Sequence, residues 1–148
     1  MPGYTQQTNP DTTSRAIGKE LPISPKMSRE ICRMLKGKNV AVAISILEEV
    51  VELKRAVPLK RYNFGVAHKK GIGPGRFPQK AAKAILHVIE SARSNAEYKG
   101  LDTDNMRIQV AAAHLGRTTK GYMPRAYGRS SPWNQQTVNV EVILEEVE

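Results

Sequence analysis

Cysteine occurs once in this 148-residue chain, at Cys32. A single thiol cannot close an internal disulfide or build a cysteine-based zinc site, so the expected compartment is the reducing cytoplasm. Aromatic residues make up 5% of the chain, too few for an aromatic-rich pocket. No apolar run approaches the roughly 20 residues needed to cross a bilayer. The polar start (Thr5, Gln6, Gln7, Thr8, Asn9) has no secretory signal pattern, so a membrane partner is not expected. Catalytic groups are equally scarce. His68, His87 and His114 are far apart and lack metal-ligand spacing, and His87 falls inside a helical pattern. The neighbouring acids Glu48-Glu49 and Glu145-Glu146 diverge on a helix or a strand and form no acid/base couple. Gly71-Ile72-Gly73-Pro74-Gly75 lacks the Gly-Lys-Ser/Thr ending of a nucleotide loop and has no strand before it. It reads as flexible backbone able to approach phosphate. No enzyme activity, cofactor, metal or small-molecule substrate is expected.

Acids are missing from two long tracts, and that absence carries the most information. The chain holds 23 lysines and arginines against 14 acids, a formal charge of +9. From residue 53 to 89 there are nine basic residues and no acid: Lys54, Arg55, Lys60, Arg61, Lys69, Lys70, Arg76, Lys80 and Lys83. From residue 106 to 140 there are five more, Arg107, Arg117, Lys120, Arg125 and Arg129, again without an acid. An ordinary solvated surface interleaves both signs. Segregated positive tracts on a small domain fit a polyanion, most often nucleic acid.

What is present organises as a single domain. Residues 1–14 read as a loose polar arm. Ser24-Pro25 suits a helix start, with serine as cap and proline in the first turn. Met27, Ile31, Met34 and Leu35 form its apolar face, and Gly37 ends it. A second helix opens near Asn39 with Val40, Ala43, Ile44, Leu47 and Val51, and closes by Pro58. From residue 59 to 78 periodicity is lost, giving an expected loop of about 20 residues, a length that implies function or disorder. It carries Tyr62, Phe64 and His68 as stacking candidates. A long helix then runs from about Pro78 to Tyr98 on Ala82, Ile85, Leu86, Ile89, Ala92 and Ala96, with Gly100 as its stop.

The last third reads as two half-buried strands. Met106, Ile108, Val110 and Ala112 alternate with polar or small neighbours, as do Val138, Val140, Val142 and Leu144. The residues between them cannot form a core. If the strands pair, the chain doubles back between Arg125 and Gly128, and each arm spans roughly 43 Å at about 3.3 Å per residue. A two-stranded ribbon of that length has no hydrophobic face to hold it in water. Its cations suit phosphates, and its tyrosines and Trp133 suit bases or sugars.

The run Tyr122-Met123-Pro124-Arg125-Ala126-Tyr127-Gly128-Arg129 resembles the hairpin tip of the universal large-subunit ribosomal protein twenty-two family. Ile23-Ser24-Pro25-Lys26, Leu35-Lys36-Gly37-Lys38, Ala43-Ile44-Ser45-Ile46-Leu47 and Glu90-Ser91-Ala92-Arg93-Ser94-Asn95-Ala96-Glu97 continue the resemblance, which covers about residues 14–145 in a single order. The basic insert of residues 54–77, with Arg61-Tyr62-Asn63, looks like the archaeal and eukaryotic branch and points to an archaeal-type member. The resemblance implies an α+β fold, three helices packed on a small antiparallel sheet with a long extended C-terminal β-hairpin. The body would comprise residues 15–112 and 138–148, and the hairpin residues 113–137.

The resemblance also implies a structural role on large-subunit ribosomal RNA, beside neighbouring large-subunit proteins, with the hairpin lining the nascent-chain exit tunnel. The expected RNA-binding residues are Lys36, Lys38, Lys60, Arg61, Tyr62, Lys69, Lys70, Arg76, Arg117, Lys120, Tyr122, Arg125, Tyr127, Arg129 and Trp133. Met123, Pro124, Arg125, Ala126 and Tyr127 would face the tunnel and the nascent polypeptide. Gly121 departs from the pattern, standing where many relatives carry another basic residue. A free nucleic-acid-binding architectural protein shares the charge and could use the ribbon as a wedge.

Overall fold

The computed structural model describes residues 3–147. In chain order the elements are β1 (Thr13–Leu21), α1 (Pro25–Leu35), α2 (Val40–Val51), β2 (Val57–Pro58), β3 (His68–Lys69), β4 (Gly73–Arg76), α3 (Gln79–Lys99), β5 (Met106–Thr119), β6 (Tyr122–Pro124), β7 (Ser130–Pro132) and β8 (Gln135–Glu146). A 3-10 turn, Ala126–Gly128, separates β6 from β7. The fold is α+β. An antiparallel sheet of order β1-β8-β5 carries three helices, and β5 and β8 run on into the extended hairpin.

Local chemistry accounts for the helix ends. Ser24 stands at the N-cap of α1 but, against the sequence expectation, its side chain caps no amide; the start rests on Pro25 in the first turn, where the missing amide is no loss. The Asn39 carboxamide oxygen accepts the Ala41 amide at 2.9 Å, capping α2. Gly100 closes α3 in the left-handed conformation, φ 76, which costs glycine nothing. Ile31 and Leu35 of α1, Val40, Ala43 and Leu47 of α2, and Ile85, Ile89, Ala92 and Ala96 of α3 converge on Met106, Ile108, Val140, Val142 and Leu144 of the sheet. Polar ties fix the packing of α3 on β1. The Ser14 hydroxyl donates to the Ala92 carbonyl at 2.9 Å, and the Asn95 amide donates to the Arg15 carbonyl at 2.9 Å. Cys32 is buried in this core, and burial pushes its thiol up to about 12. It is a packing residue.

Four features differ from the sequence expectation. The stretch from 59 to 78 is not structureless: β2, β4 and β3 form a three-stranded sheet in that order. Its strands are two to four residues long, too short for any hydrophobic period to register. The glycine run is therefore no flexible phosphate loop, because Gly73–Arg76 is the central strand and Gly75 is buried in it. Second, β5 bulges at Gln109, between the pairs Ile108↔Leu144 and Val110↔Ile143. One extra residue reverses the alternation, so Ala111 and Ala113, rather than Val110 and Ala112, pack against the core. Third, residues 13–21 form edge strand β1, which the sequence pattern did not announce. Fourth, the N-terminal arm touches the body: the Thr5 amide donates to Glu141 at 2.9 Å and its hydroxyl donates to the same carboxylate. Residues 1, 2 and 148, the ends of the expected arm and body, lie outside the described residues.

Candidate nucleic-acid interface

The hairpin leaves the body where burial stops. Val138 is fully buried, while Leu115, its partner across the ladder, is 67% exposed. Between residues 116 and 133 no side chain is buried. Pairing nevertheless continues, through Thr118↔Gln136 and Thr119↔Gln135 to Tyr122↔Pro132, Met123↔Ser131 and Pro124↔Ser130. The Trp133 amide donates to the Gly121 carbonyl at 2.6 Å. A Cβ at position 121 would stand 2.7 Å from the Trp133 carbonyl oxygen, so this close crossing of the two arms requires glycine. That gives the departure at Gly121 a physical reason.

At the tip, Ala126 accepts from the Arg129 amide at 3.3 Å, and Tyr127 and Gly128 both have positive φ, 57 and 67. Two such central residues make the tight turn that matches strand twist. A tyrosine in this region costs about 1–2 kcal/mol relative to right-handed backbone. Its ring is fully exposed, as are most of Tyr122 and over half of Trp133.

Charge pairing sorts the basic residues into two groups. Lys54 and Arg55 meet Glu52 and Glu49, Arg93 meets Glu97, and Arg107 meets Glu145 at 3.1 Å. Three of these four belong to the tracts that hold no acid in sequence; Glu49 and Glu52, just before the first tract, and Glu145, across the ladder, neutralise them. Among the described residues, Arg117, Lys120, Arg125 and Arg129 have no carboxylate within 4.0 Å. All four are exposed, and Arg125 is oriented by a 2.9 Å bond from its Nε to the Ser131 hydroxyl.

The insert presents a second set. Lys60, Arg61, Lys69, Lys70 and Arg76 are exposed. Tyr62 is half-buried, with Lys26 and Arg61 over its ring at 5.7 and 5.8 Å, and Lys69 lies 5.3 Å over Phe77. Phe64 is the fully exposed ring of this region. The insert starts from an unexpected anchor. Glu30 of α1, 2% exposed, accepts the backbone amides of Lys60, Arg61 and Tyr62 at 3.3, 2.7 and 3.2 Å. Burial alone would raise its carboxyl; the three amides, helped by the charge of Arg33, outweigh it and hold Glu30 below the ordinary carboxylate value.

Lys36 and Lys38 sit on the link between α1 and α2. That link is stitched to β5 by Gly37 donating to the Ile108 carbonyl and Ile108 donating to the Lys38 carbonyl, both at 2.8 Å. The structure thus distributes the expected residues over the hairpin, the insert and this link. It also adds Arg29 and Arg33, exposed four positions apart on α1, with Lys36 three positions on, just past the helix end. That spacing was available as a signal in the sequence.

Other chemistry is thin. Among the described residues no group of three or more His, Cys, Asp or Glu side chains could hold a metal, and no helix is long and apolar enough to cross a membrane.

Comparison with known proteins gives the family. The family model of Ribosomal protein L22p/L17e matches residues 16–145. The large ribosomal subunit protein uL22 of Methanothrix thermoacetophila is 54% identical over 137 residues, covering 90% of each chain. That of Methanococcus aeolicus is 51% identical over 146 residues, covering 97% of this chain and 95% of the relative. That of Thermofilum pendens is 44% identical over 146 residues, covering 98% and 97%. On a match of this extent, the chain belongs to the ribosomal protein L22p/L17e family.

Proposed function

We propose that the protein is a structural constituent of the large ribosomal subunit that binds large-subunit ribosomal RNA through its hairpin and its basic insert. One observation carries this reading: an extended ribbon with no buried side chain between residues 116 and 133 displays four exposed cations that have no carboxylate partner among the described residues. A ribbon without a core needs an external surface to hold it, and unpaired cations select a polyanion as that surface. The relatives' name, large ribosomal subunit protein, supports folded ribosomal RNA.

The body rests near the polypeptide exit site, and the ribbon lines the nascent-chain tunnel among neighbouring large-subunit proteins. Arg117, Lys120, Arg125 and Arg129 neutralise phosphates along it, with Lys36, Lys38, Lys60, Arg61, Lys69, Lys70 and Arg76 contributing from the body. Tyr122, Tyr127 and Trp133 stack on bases or sugars, as does Tyr62 in the insert. Met123, Pro124, Arg125, Ala126 and Tyr127 face the emerging chain. The expected compartment is the cytoplasmic ribosome.

Competition filter binding tests this against a free architectural DNA-binding role. Folded large-subunit ribosomal RNA should displace the protein from labelled RNA at far lower concentration than duplex DNA of equal length. Equal competition by the two would support the architectural role instead.

A further inference from the structure

The N-terminal arm meets the sheet where the hairpin leaves the body. Glu141 of β8 pairs with Ile17 of β1 on one side and Ala112 of β5 on the other. By strand alternation its side chain lies on the opposite face from Val140 and Val142, which join the helices in the core. Glu141 is nevertheless 2% exposed. A carboxylate so placed is costly unless its oxygens are bonded. The arm supplies the bonds: the Thr5 amide donates to one oxygen at 2.9 Å, and the Thr5 hydroxyl donates to the other. His114 of β5 completes the cluster, its Nε2 standing 3.4 Å from the carboxylate and 3.3 Å from the Thr5 hydroxyl. Thr5 thus ties β5 to β8 from outside the sheet.

The tie sits just inside a weak point. Leu115 pairs with Val138 and Thr118 with Gln136, so β5 carries one extra residue at Gly116–Arg117, and such a bulge disrupts the ladder locally. Outward of it no side chain is buried as far as residue 133. Inward, the core holds Val138 and Val140 of β8, but β5 is held less: His114 and Leu115 are exposed, and Ala112 and Ala113 only half-buried. The arm has moorings of its own. The Tyr4 ring faces the Arg15 guanidinium at 5.0 Å, and the Pro10 carbonyl accepts from Lys99 Nζ at 2.8 Å. A cavity of about 320 Å³ remains beside Thr5, against Ile17, Leu115 and Asn139, so polar ties rather than close packing hold the arm here.

We infer that the N-terminal arm is a strap over the hairpin's root, clasped on Glu141, that stops disorder of the ribbon from running past Gly116 into the body. Opening of an unpacked ribbon passes inward pair by pair until a step meets a real cost. Separating residues 112–115 from β8 breaks the cluster of Thr5, Glu141 and His114 and strands a buried carboxylate. The strap offers phosphate no cation, since residues 3–12 hold no lysine or arginine. It concerns the free protein and stands independently of the RNA-binding reading. Any effect on binding passes through the fraction of chains whose ribbon is rooted for docking.

The test is amide exchange on the full chain without RNA. Thr5→Pro removes both donors from an exposed arm residue, and Glu141→Gln keeps the clasp's shape while removing its charge. In Thr5→Pro the amides of residues 111–115 and 138–141 should exchange about tenfold faster, with α1, α2 and α3 unchanged. Glu141→Gln should speed the same amides by less, and the double variant should exchange no faster than Thr5→Pro alone. Filter binding to folded large-subunit ribosomal RNA should weaken several-fold in Thr5→Pro with the log-log salt slope unchanged.

Unchanged exchange at residues 111–115 in Thr5→Pro, with resonances of residues 3–8 at random-coil positions, would show that the core alone stops the fraying and overturn the strap. Uniform acceleration that includes α3 would make the cluster a general stabiliser and overturn it equally. A lower salt slope in Thr5→Pro would assign the arm to RNA contact instead.

Discussion

The body and the hairpin are continuous strands of one sheet, yet they are held by different means. In the body, β5 and β8 pair beneath α1 and α3, and Met106, Ile108, Val140, Val142 and Leu144 are essentially inaccessible. Further out along β5 and β8, and on through β6 and β7, backbone pairing continues with no buried side chain between residues 116 and 133. Burying apolar surface contributes about 25 cal/mol per Å², whereas a backbone hydrogen bond exposed to water contributes little net. Strand pairing alone therefore defines the hairpin's geometry without securing its stability. The body is complete as a folded object, and the hairpin is complete only against another surface.

Core truncation should show the contrast most strongly. Ile89→Ala, at a fully buried position beneath the sheet, should lower the unfolding free energy by about 3–4 kcal/mol. Denaturant titration checks this, and the salt slope of RNA binding should not change. Removing charge from the hairpin should do the reverse. Arg117, Lys120, Arg125 and Arg129 replaced together by alanine should cost on the order of a hundredfold in affinity near 150 mM salt and reduce the log-log slope by about 3. The thermal midpoint of the free protein should move by no more than a degree or two, because these side chains are exposed and the Arg125–Ser131 bond lies in water.

Acid pH should separate the regions again, with a smaller effect. Residues 116–133 contain neither acid nor histidine, so stability changes below neutral pH arise outside that ribbon. Glu30 has a folded-state value held below its ordinary 4.5. Its contribution is therefore present above that value and is lost as pH falls through the lower folded one. The stability advantage of the wild type over Glu30→Gln should be constant above about pH 5.5 and shrink below about 4.5, read as the difference in urea midpoints. The smallest effect belongs to Gly121→Ala. The added Cβ meets the Trp133 carbonyl oxygen and should disturb amide and side-chain resonances from Lys120 to Trp133, while leaving the global unfolding midpoint unchanged.

Much of this contrast was legible in the amino-acid sequence, because long elements carry strong periods. The starts at Pro25 and Asn39, the stop at Gly100 and the turn within Arg125 to Gly128 rest on local chemistry that tertiary structure did not override, although the Ser24 side chain caps nothing. The sheet of β2, β3 and β4 stayed hidden because strands of two to four residues show no alternation. The bulge at Gln109 stayed hidden because a one-residue insertion is visible only against the paired strand β8.

For the candidate site, sequence supplied the cations but not their pairing. Nothing local distinguishes Arg107, neutralised by Glu145 across the ladder, from Arg117, which meets no acid among the described residues. Glu30 was the least readable residue, since an acid in an amphipathic helix is ordinarily solvated. Its partners lie 30 to 32 positions away.

Amide hydrogen exchange on the full chain, free and bound to folded large-subunit ribosomal RNA, tests the central claim most directly. In the free protein, amides of α1, α2, α3 and the body portions of β5 and β8 should exchange slowly, and those of residues 116–133 nearly as fast as in an unstructured peptide. On binding RNA, residues 116–133 should become protected with little change in the body. Strong protection of residues 116–133 in the free protein, or none in the complex, would contradict the claim that the hairpin depends on RNA to hold it.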